Sequence, residues 1–168
     1  MNDSAKKIIE SLNLSSHPEG GFFREIYRSD ETLSNKTLPV RYTSQRTFST
    51  SIYYMLVENQ ISHFHCLKSD ETWHYYNGSP VIIHCLEPDG IYNKIKISCQ
   101  FESNIFPQFT IKKGTWFAAE IEDKNSHSLI GCTVAPGFEY DDFELGNRDS
   151  LFEQFPNHKE LITRFTKD

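Results

Sequence analysis

Absences narrow the field first. The 168-residue chain has four cysteines, Cys66, Cys85, Cys99 and Cys132, widely spaced and with no C-x-x-C pair. Neither a cysteine-based zinc site nor a vicinal redox pair is therefore offered. Two disulfides are open by arithmetic, but Met1-Asn2-Asp3-Ser4-Ala5-Lys6-Lys7 lacks the apolar stretch of a secretory signal. Reduced thiols in a cytoplasmic protein are the expectation. No run approaches the ~18 apolar residues that a bilayer demands, so no membrane partner is expected. Basic residues cluster only as pairs such as Lys6-Lys7 and Lys112-Lys113, and the formal charge is -6. That argues against a nucleic-acid partner, because affinity for phosphates is largely cationic. Also missing are the G-x-x-x-x-G-K-[ST] phosphate loop, the G-x-S-x-G elbow and the H-E-x-x-H helix, which removes most nucleotide hydrolases, serine hydrolases and zincins.

What is present is aromatic and strand-forming. Phe numbers 13 and Tyr 8, and aromatics make up 14% of the chain. No repeat or long polar linker divides it, so residues 1–168 read as a single domain with enough length to bury a core. Residues 4–13 read as an amphipathic helix with Ile8, Ile9 and Leu12 on one side. His17-Pro18-Glu19-Gly20-Gly21 must end it, since proline disfavours helix before it and paired glycines free the backbone. Phe22 to Arg28 reads as a strand and Ser29 to Gln45 as a long loop. β-segments then follow at 47–57, 62–67, 71–77, 80–87, 91–99, 108–112, 115–121 and 128–134, separated by turns such as Asn77-Gly78 and Pro88-Asp89-Gly90. This is an all-β pattern, a sandwich or barrel. Near the C-terminus, Asn157 and Glu160 resemble a cap before a helix carrying Leu161, Ile162 and Phe165, after an apolar turn around Leu151, Phe152 and Phe155.

The chemistry concentrates at His63-Phe64-His65, with Glu71 after a short turn and Gly78 beyond it. Residues two apart on a strand share a face, so the alternation predicts His63 and His65 side by side. Glu71 is then expected to face them from the next strand. Such a His/His/Glu set suits a divalent metal or acid–base chemistry; the competing reading is a pair of hydrogen-bonded core histidines. By alternation Trp73 shares the face of Glu71, and His74 points the other way unless a bulge intervenes.

This cluster resembles the first motif of the cupin superfamily: H-x-H, a short gap, Glu, six residues, Gly. Further segments resemble a small cupin family of unknown function. They are His17-Pro18-Glu19-Gly20-Gly21-Phe22-Phe23-Arg24-Glu25, Ser49 to Tyr54, Ser69 to His74, Gly114-Thr115-Trp116, Gly131 to Phe138 and Asp141-Asp142-Phe143-Glu144. The resemblance implies a cupin double-stranded β-helix, or jelly-roll barrel, with short N- and C-terminal helices. It also implies a homodimer with one small-molecule pocket per subunit. Metal-binding cupins resemble one another in a second motif that ends in a ligating histidine; here Phe117 stands at that place. Three protein ligands and a water can still hold a catalytic metal, so His63, His65 and Glu71 are the candidate ligands, with a metal-free site as the alternative.

The reading that follows is an enzyme acting on a small polar or sugar-like metabolite by proton transfer, of the isomerase or epimerase type. His65 is the candidate base, Glu71 its partner and Tyr53 a candidate acid. Arg24, Trp73, His74, Gln108, Trp116 and Cys132 are the candidate ligand-binding residues. For Cys132 a small buried thiol is the favoured reading over a nucleophile. A non-catalytic module that binds or senses a small ligand is the rival.

Overall fold

The computed structural model describes residues 1, 3–100 and 102–167. Helix α1 (Asp3–Leu12) leads into β1 (Ser15–Ser16), β2 (Phe22–Arg28), β3 (Thr32–Leu33), β4 (Arg46–Thr47), β5 (Thr50–Val57), β6 (Ile61–Leu67) and β7 (Asp70–Gly78). Next come β8 (Val81–Leu86), β9 (Tyr92–Ile97), β10 (Ile105–Phe106), β11 (Gln108–Ile111), β12 (Trp116–Ile121), β13 (His127–Ala135) and β14 (Phe143–Leu145). Helices α2 (Arg148–Gln154) and α3 (Lys159–Arg164) follow. The strands form two six-stranded sheets, ordered β1-β2-β5-β13-β7-β11 and β10-β9-β8-β12-β6-β14, and β3 pairs with β4. This is the all-β sandwich of two sheets expected from the sequence.

Burial along each strand tells which faces are covered. Strand β7 begins with alternating half-buried and buried residues, the pattern of a strand with one face on the core and one partly wet. Strands β8 and β12 are buried at every position. Their inner residues, Val81, Ile83, Cys85, Phe117, Ala119 and Ile121, join the core between the sheets. On the outer face Leu86, Trp116 and Ala118 pack with Phe64 beneath Leu151, Phe155, Ile162 and Phe165 of the C-terminal helical segment. Glu120 ties α3 down, accepting from Lys124 Nζ at 2.7 Å and from Arg164. The expected apolar turn around Leu151 is therefore a helix. Asn147 caps it, its Oδ1 accepting from the Ser150 N–H at 3.1 Å.

The second sheet is covered differently. Helix α1 lays Ala5, Ile8, Ile9 and Leu12 on Met55, Val57, Phe22 and Leu129, which is one end of the outer face. The long segment after β2 is held by Arg46. Its side chain is fully buried and meets Asp142 twice, Nε to Oδ2 at 2.5 Å and Nη2 to Oδ1 at 2.7 Å. Removing either partner would strand a buried charge. Among the described residues no helix is long and apolar enough to cross a membrane.

Candidate active site

A cavity of about 100 Å³ opens between the sheets at one end of the sandwich, room for several waters or a small organic molecule. Its floor carries His17, Glu19, Tyr54, His65, Glu71 and Cys132, and its apolar wall Phe23, Ile52, Leu67, Val134 and Phe143. Glu25, Arg28, Phe138, Glu139 and Tyr140 complete it.

Two glycines bring His17 and Glu19 inside. Gly20 has φ +112, and a Cβ there would lie 2.1 Å from the Ile61 carbonyl oxygen; Gly21 has φ +74, with Met55 O at 2.7 Å. Only residues without side chains let this turn press against β5 and β6. The Glu19 carboxylate then sits between two imidazoles, Oε2 lying 3.1 Å from His65 Nε2 and 3.5 Å from His17 Nδ1. Ser62 Oγ donates to Glu19 Oε1 at 3.0 Å, and the Tyr54 hydroxyl donates to Gly20 O at 2.7 Å.

Hydrogen-bond logic fixes the tautomers. His65 Nδ1 is 2.7 Å from the His63 carbonyl, which can only accept, so Nδ1 carries a proton. In the neutral ring Nε2 is then an acceptor, and Glu19 must bring the proton between them. His17 Nδ1 accepts from the Glu19 backbone N–H at 3.3 Å, which places the proton of neutral His17 on Nε2. Burial favours these uncharged forms. It lowers the His17 and His65 pKa values and raises that of Glu19. Burial also pushes the Glu71 carboxyl up to about 7, against the pull of His65 and with help from Glu19. Glu71 Oε2 is buried without a hydrogen-bond partner. Cys132 lines the same floor, and burial holds its thiol well above the ordinary range, as it does the Tyr54 phenol. Cys132 is thus a protonated thiol rather than a nucleophile.

Of the residues singled out from sequence, His65, Glu71 and Cys132 meet in the cavity. His63 does not share the face of His65. Phe117 pairs with His65 but Ala119 pairs with Ser62, so β6 carries one extra residue between them. The bulge restores parity at Ser62 and turns Phe64 to the outer side. His63 Nδ1 donates to the Glu19 carbonyl at 2.6 Å. Phe117 lies against the His65 ring, centroids 3.9 Å apart. Among the described residues no three His, Cys, Asp or Glu side chains converge on a metal position. The His63, His65 and Glu71 set therefore does not fit a cation as arranged.

The remaining candidates lie elsewhere. Tyr53 faces outward, against the α1 cluster and Tyr76, and its neighbour Tyr54 takes the inner position. Arg24 pairs with Tyr53 across the strands and donates to Leu12 O at 2.9 Å. The register slips between Glu25 and Tyr27, which delivers Arg28 rather than Arg24 to the cavity. His74 Nδ1 and Gln108 Oε1 are 3.3 Å apart on the outer face. Trp116 belongs to the cluster under the C-terminal helices, and Trp73 is buried in the core. His17 and Glu19 escaped notice as site residues, although the His-Pro-Glu-Gly-Gly run that carries them was the available signal.

Comparison with known proteins gives the same architecture. Protein SO0799 from Shewanella oneidensis superposes with a TM-score of 0.86 at 33% identity, covering 99% of each chain. A hypothetical protein from Leishmania major gives 0.87 at 30% identity, over 98% of this chain and 99% of that one. The Saccharomyces cerevisiae protein YML079W is 28% identical over 152 residues, 83% of this chain and 73% of its own. Oxalate decarboxylase from Bacillus subtilis matches at a TM-score of 0.54 and 12% identity, over 89% of this chain but 36% of its own length, a likeness of fold alone. A family model described as Cupin superfamily (DUF985) matches residues 6–146, so the chain belongs to the cupin superfamily.

Proposed function

We propose that the protein is an enzyme that moves a proton next to the carbonyl of a small polar, sugar-like metabolite, as isomerases and epimerases do. One observation carries the reading: Glu71 offers a buried, unpartnered carboxylate oxygen to an apolar cavity, with a pKa of about 7. A group so poised is half-deprotonated near neutrality and can both take and return a proton. The roles of base and partner therefore exchange relative to the sequence reading. Glu71 is the base. Neutral His65, its Nε2 engaged by Glu19, holds the polar floor beside Glu71. His17, with its proton on Nε2, is the donor available to the substrate oxygen. Cys132 and Tyr54 close the floor as protonated groups. The oxalate decarboxylase relatives include one described for its Mn(II) centres, and metal capture is accordingly one outcome of the test.

The test is deuterium uptake at the α-carbon of a panel of sugar-like carbonyl compounds in D2O. Wild-type protein should catalyse uptake, and Glu71→Gln should slow it by about 10²- to 10⁴-fold. Uptake that survives Glu71→Gln removes Glu71 as the base. A ligand that binds without any exchange would make the protein a binding module. Stoichiometric Mn(II) or Fe(II) capture lost in His65→Ala would replace this mechanism with a metal-assisted one.

A further inference from the structure

The charge of the cavity limits the kind of molecule that it takes. We propose that the substrate is an organic cation: an amine-bearing carbonyl compound, such as an amino sugar or an amino ketone, rather than a phosphorylated or acidic one. This rests on the cavity being the site of proton transfer and narrows what enters it.

Carboxylates outnumber cations around this space. Glu19 and Glu71 lie on the floor, and Glu25 and Glu139 stand at the rim. Among the described residues Arg28 is the one arginine or lysine in the lining. Glu19 is protonated between neutral His17 and His65. Glu25 and Glu139 against Arg28 then leave one negative charge, and ionised Glu71 adds a second. Arg28 itself offers an anion little. Its Nε and Nη2 donate to Glu25 at 3.1 and 2.9 Å, Nη1 to Glu139 at 2.7 Å, and Nη2 also to Phe138 O at 3.1 Å. Four of the five N–H groups of the guanidinium are thus committed. A phosphate or carboxylate ligand would have to displace a carboxylate already in place, against the repulsion of the others.

Two features attract a cation. Glu71 Oε2 is buried, belongs to the cavity floor and accepts no hydrogen bond. An ammonium N–H would give it a charge-assisted one. The wall, in addition, is aromatic. Phe138, Tyr140 and Phe143 line the cavity together with Phe23. Phe138 lies 5.2 Å from Tyr140 and 6.2 Å from Phe143 between centroids, Tyr140 and Phe143 are 6.4 Å apart, and the ring planes cross at 78°, 68° and 80°. Rings braced edge to face in this way hold their positions when a ligand enters. Phe143 also approaches the His65 ring, centroids 5.5 Å apart, and carries the aromatic wall down to the floor. Aromatic rings draw ammonium groups, and more strongly where water is excluded. A neutral hydroxyl gains the hydrogen bond to Glu71 alone, and an anion is repelled by both features.

Titration calorimetry on the full chain, near neutral pH and at constant ionic strength, compares three probes of one skeleton: aminoacetone, hydroxyacetone and hydroxyacetone phosphate. Aminoacetone should bind about 10-fold or more tighter than hydroxyacetone, and the phosphate more weakly than either. Glu139→Gln keeps an oxygen for Arg28 and removes one negative charge; Tyr140→Leu removes one ring. Both side chains are partly exposed, and circular dichroism checks that the variants fold. Each variant should lower the affinity for aminoacetone by about 3- to 10-fold and leave hydroxyacetone unchanged. Equal affinities, a preference for the phosphate, or no binding of aminoacetone at tens of millimolar overturns the proposal. Selectivity unchanged in both variants places the cation elsewhere and overturns it equally. Deuterium uptake on the same probes keeps the two readings apart. Cation-selective binding without uptake upholds this inference and sinks the proton-transfer reading, whereas uptake that favours hydroxyacetone or its phosphate does the reverse.

Discussion

At the scale of single residues, Glu71 opposes stability to function. Its carboxyl titrates near 7 in the folded protein against 4.5 ordinarily. The folded state thus holds its proton more tightly, and the associated stability is complete below about pH 4.5 and lost as pH rises through 7. The full difference is about 3 kcal/mol. Glu71→Gln mimics the protonated acid. It should match wild type near pH 4 and exceed it by about 3 kcal/mol near pH 8, read from urea unfolding. Parallel stability curves would show that Glu71 is not buried as a strained anion. Residue choice at this scale was only partly legible in sequence. Period-two alternation placed Glu71 and Trp73 on one face correctly. It misplaced His63 and left Arg28 unnoticed, because each strand acquires one extra residue, near 63–64 and at Ile26. A bulge is a tertiary accommodation with no local composition to mark it, and it inverts every side chain beyond it.

At the scale of elements, the tight turn after His17 matters most. Gly20→Ala should cost more than Gly90→Ala, although both positions have positive φ, +112 and +88. Gly90 has nothing within 4 Å of the added methyl, so it should pay only the backbone penalty, about 1 kcal/mol. Gly20 meets a backbone carbonyl at 2.1 Å, and its loss should reach about 3 kcal/mol with a displaced Glu19. Chemical unfolding of the two variants compares them directly; equal losses would mean that β6 yields to the turn. The strands themselves were readable. Segments expected at 62–67, 71–77 and 128–134 appear as Ile61–Leu67, Asp70–Gly78 and His127–Ala135, because hydrophobic runs bounded by Gly, Pro and Asn admit few other structures. Helix α2 was not readable, since Leu151, Phe152 and Phe155 make too short a pattern to separate a helix from an apolar turn.

At the scale of the whole molecule, the cavity gathers residues from distant parts of the chain. Its floor and rim draw on positions 17–28, 50–54, 65–71 and 132–143. Arg28 clasps this arrangement, binding Glu25 with two nitrogens and Glu139 Oε1 at 2.7 Å, and donating to Phe138 O at 3.1 Å. No segment can leave without dismantling the pocket, and no pocket exists in the unfolded chain. Occupancy and folding are therefore one equilibrium. A ligand at 100 times its Kd should add about 2.7 kcal/mol, which for a chain of this size moves the melting temperature by about 5–10 °C. Dye-monitored melting against a metabolite library reads that shift whatever the reaction proves to be. Glu139→Ala, which opens the clasp, should shrink the shift, whereas equal shifts in both proteins would place the ligand elsewhere. The scattered origin of the pocket makes the fold its own reporter: heat, rather than turnover, is the signal by which the natural ligand can be recognised.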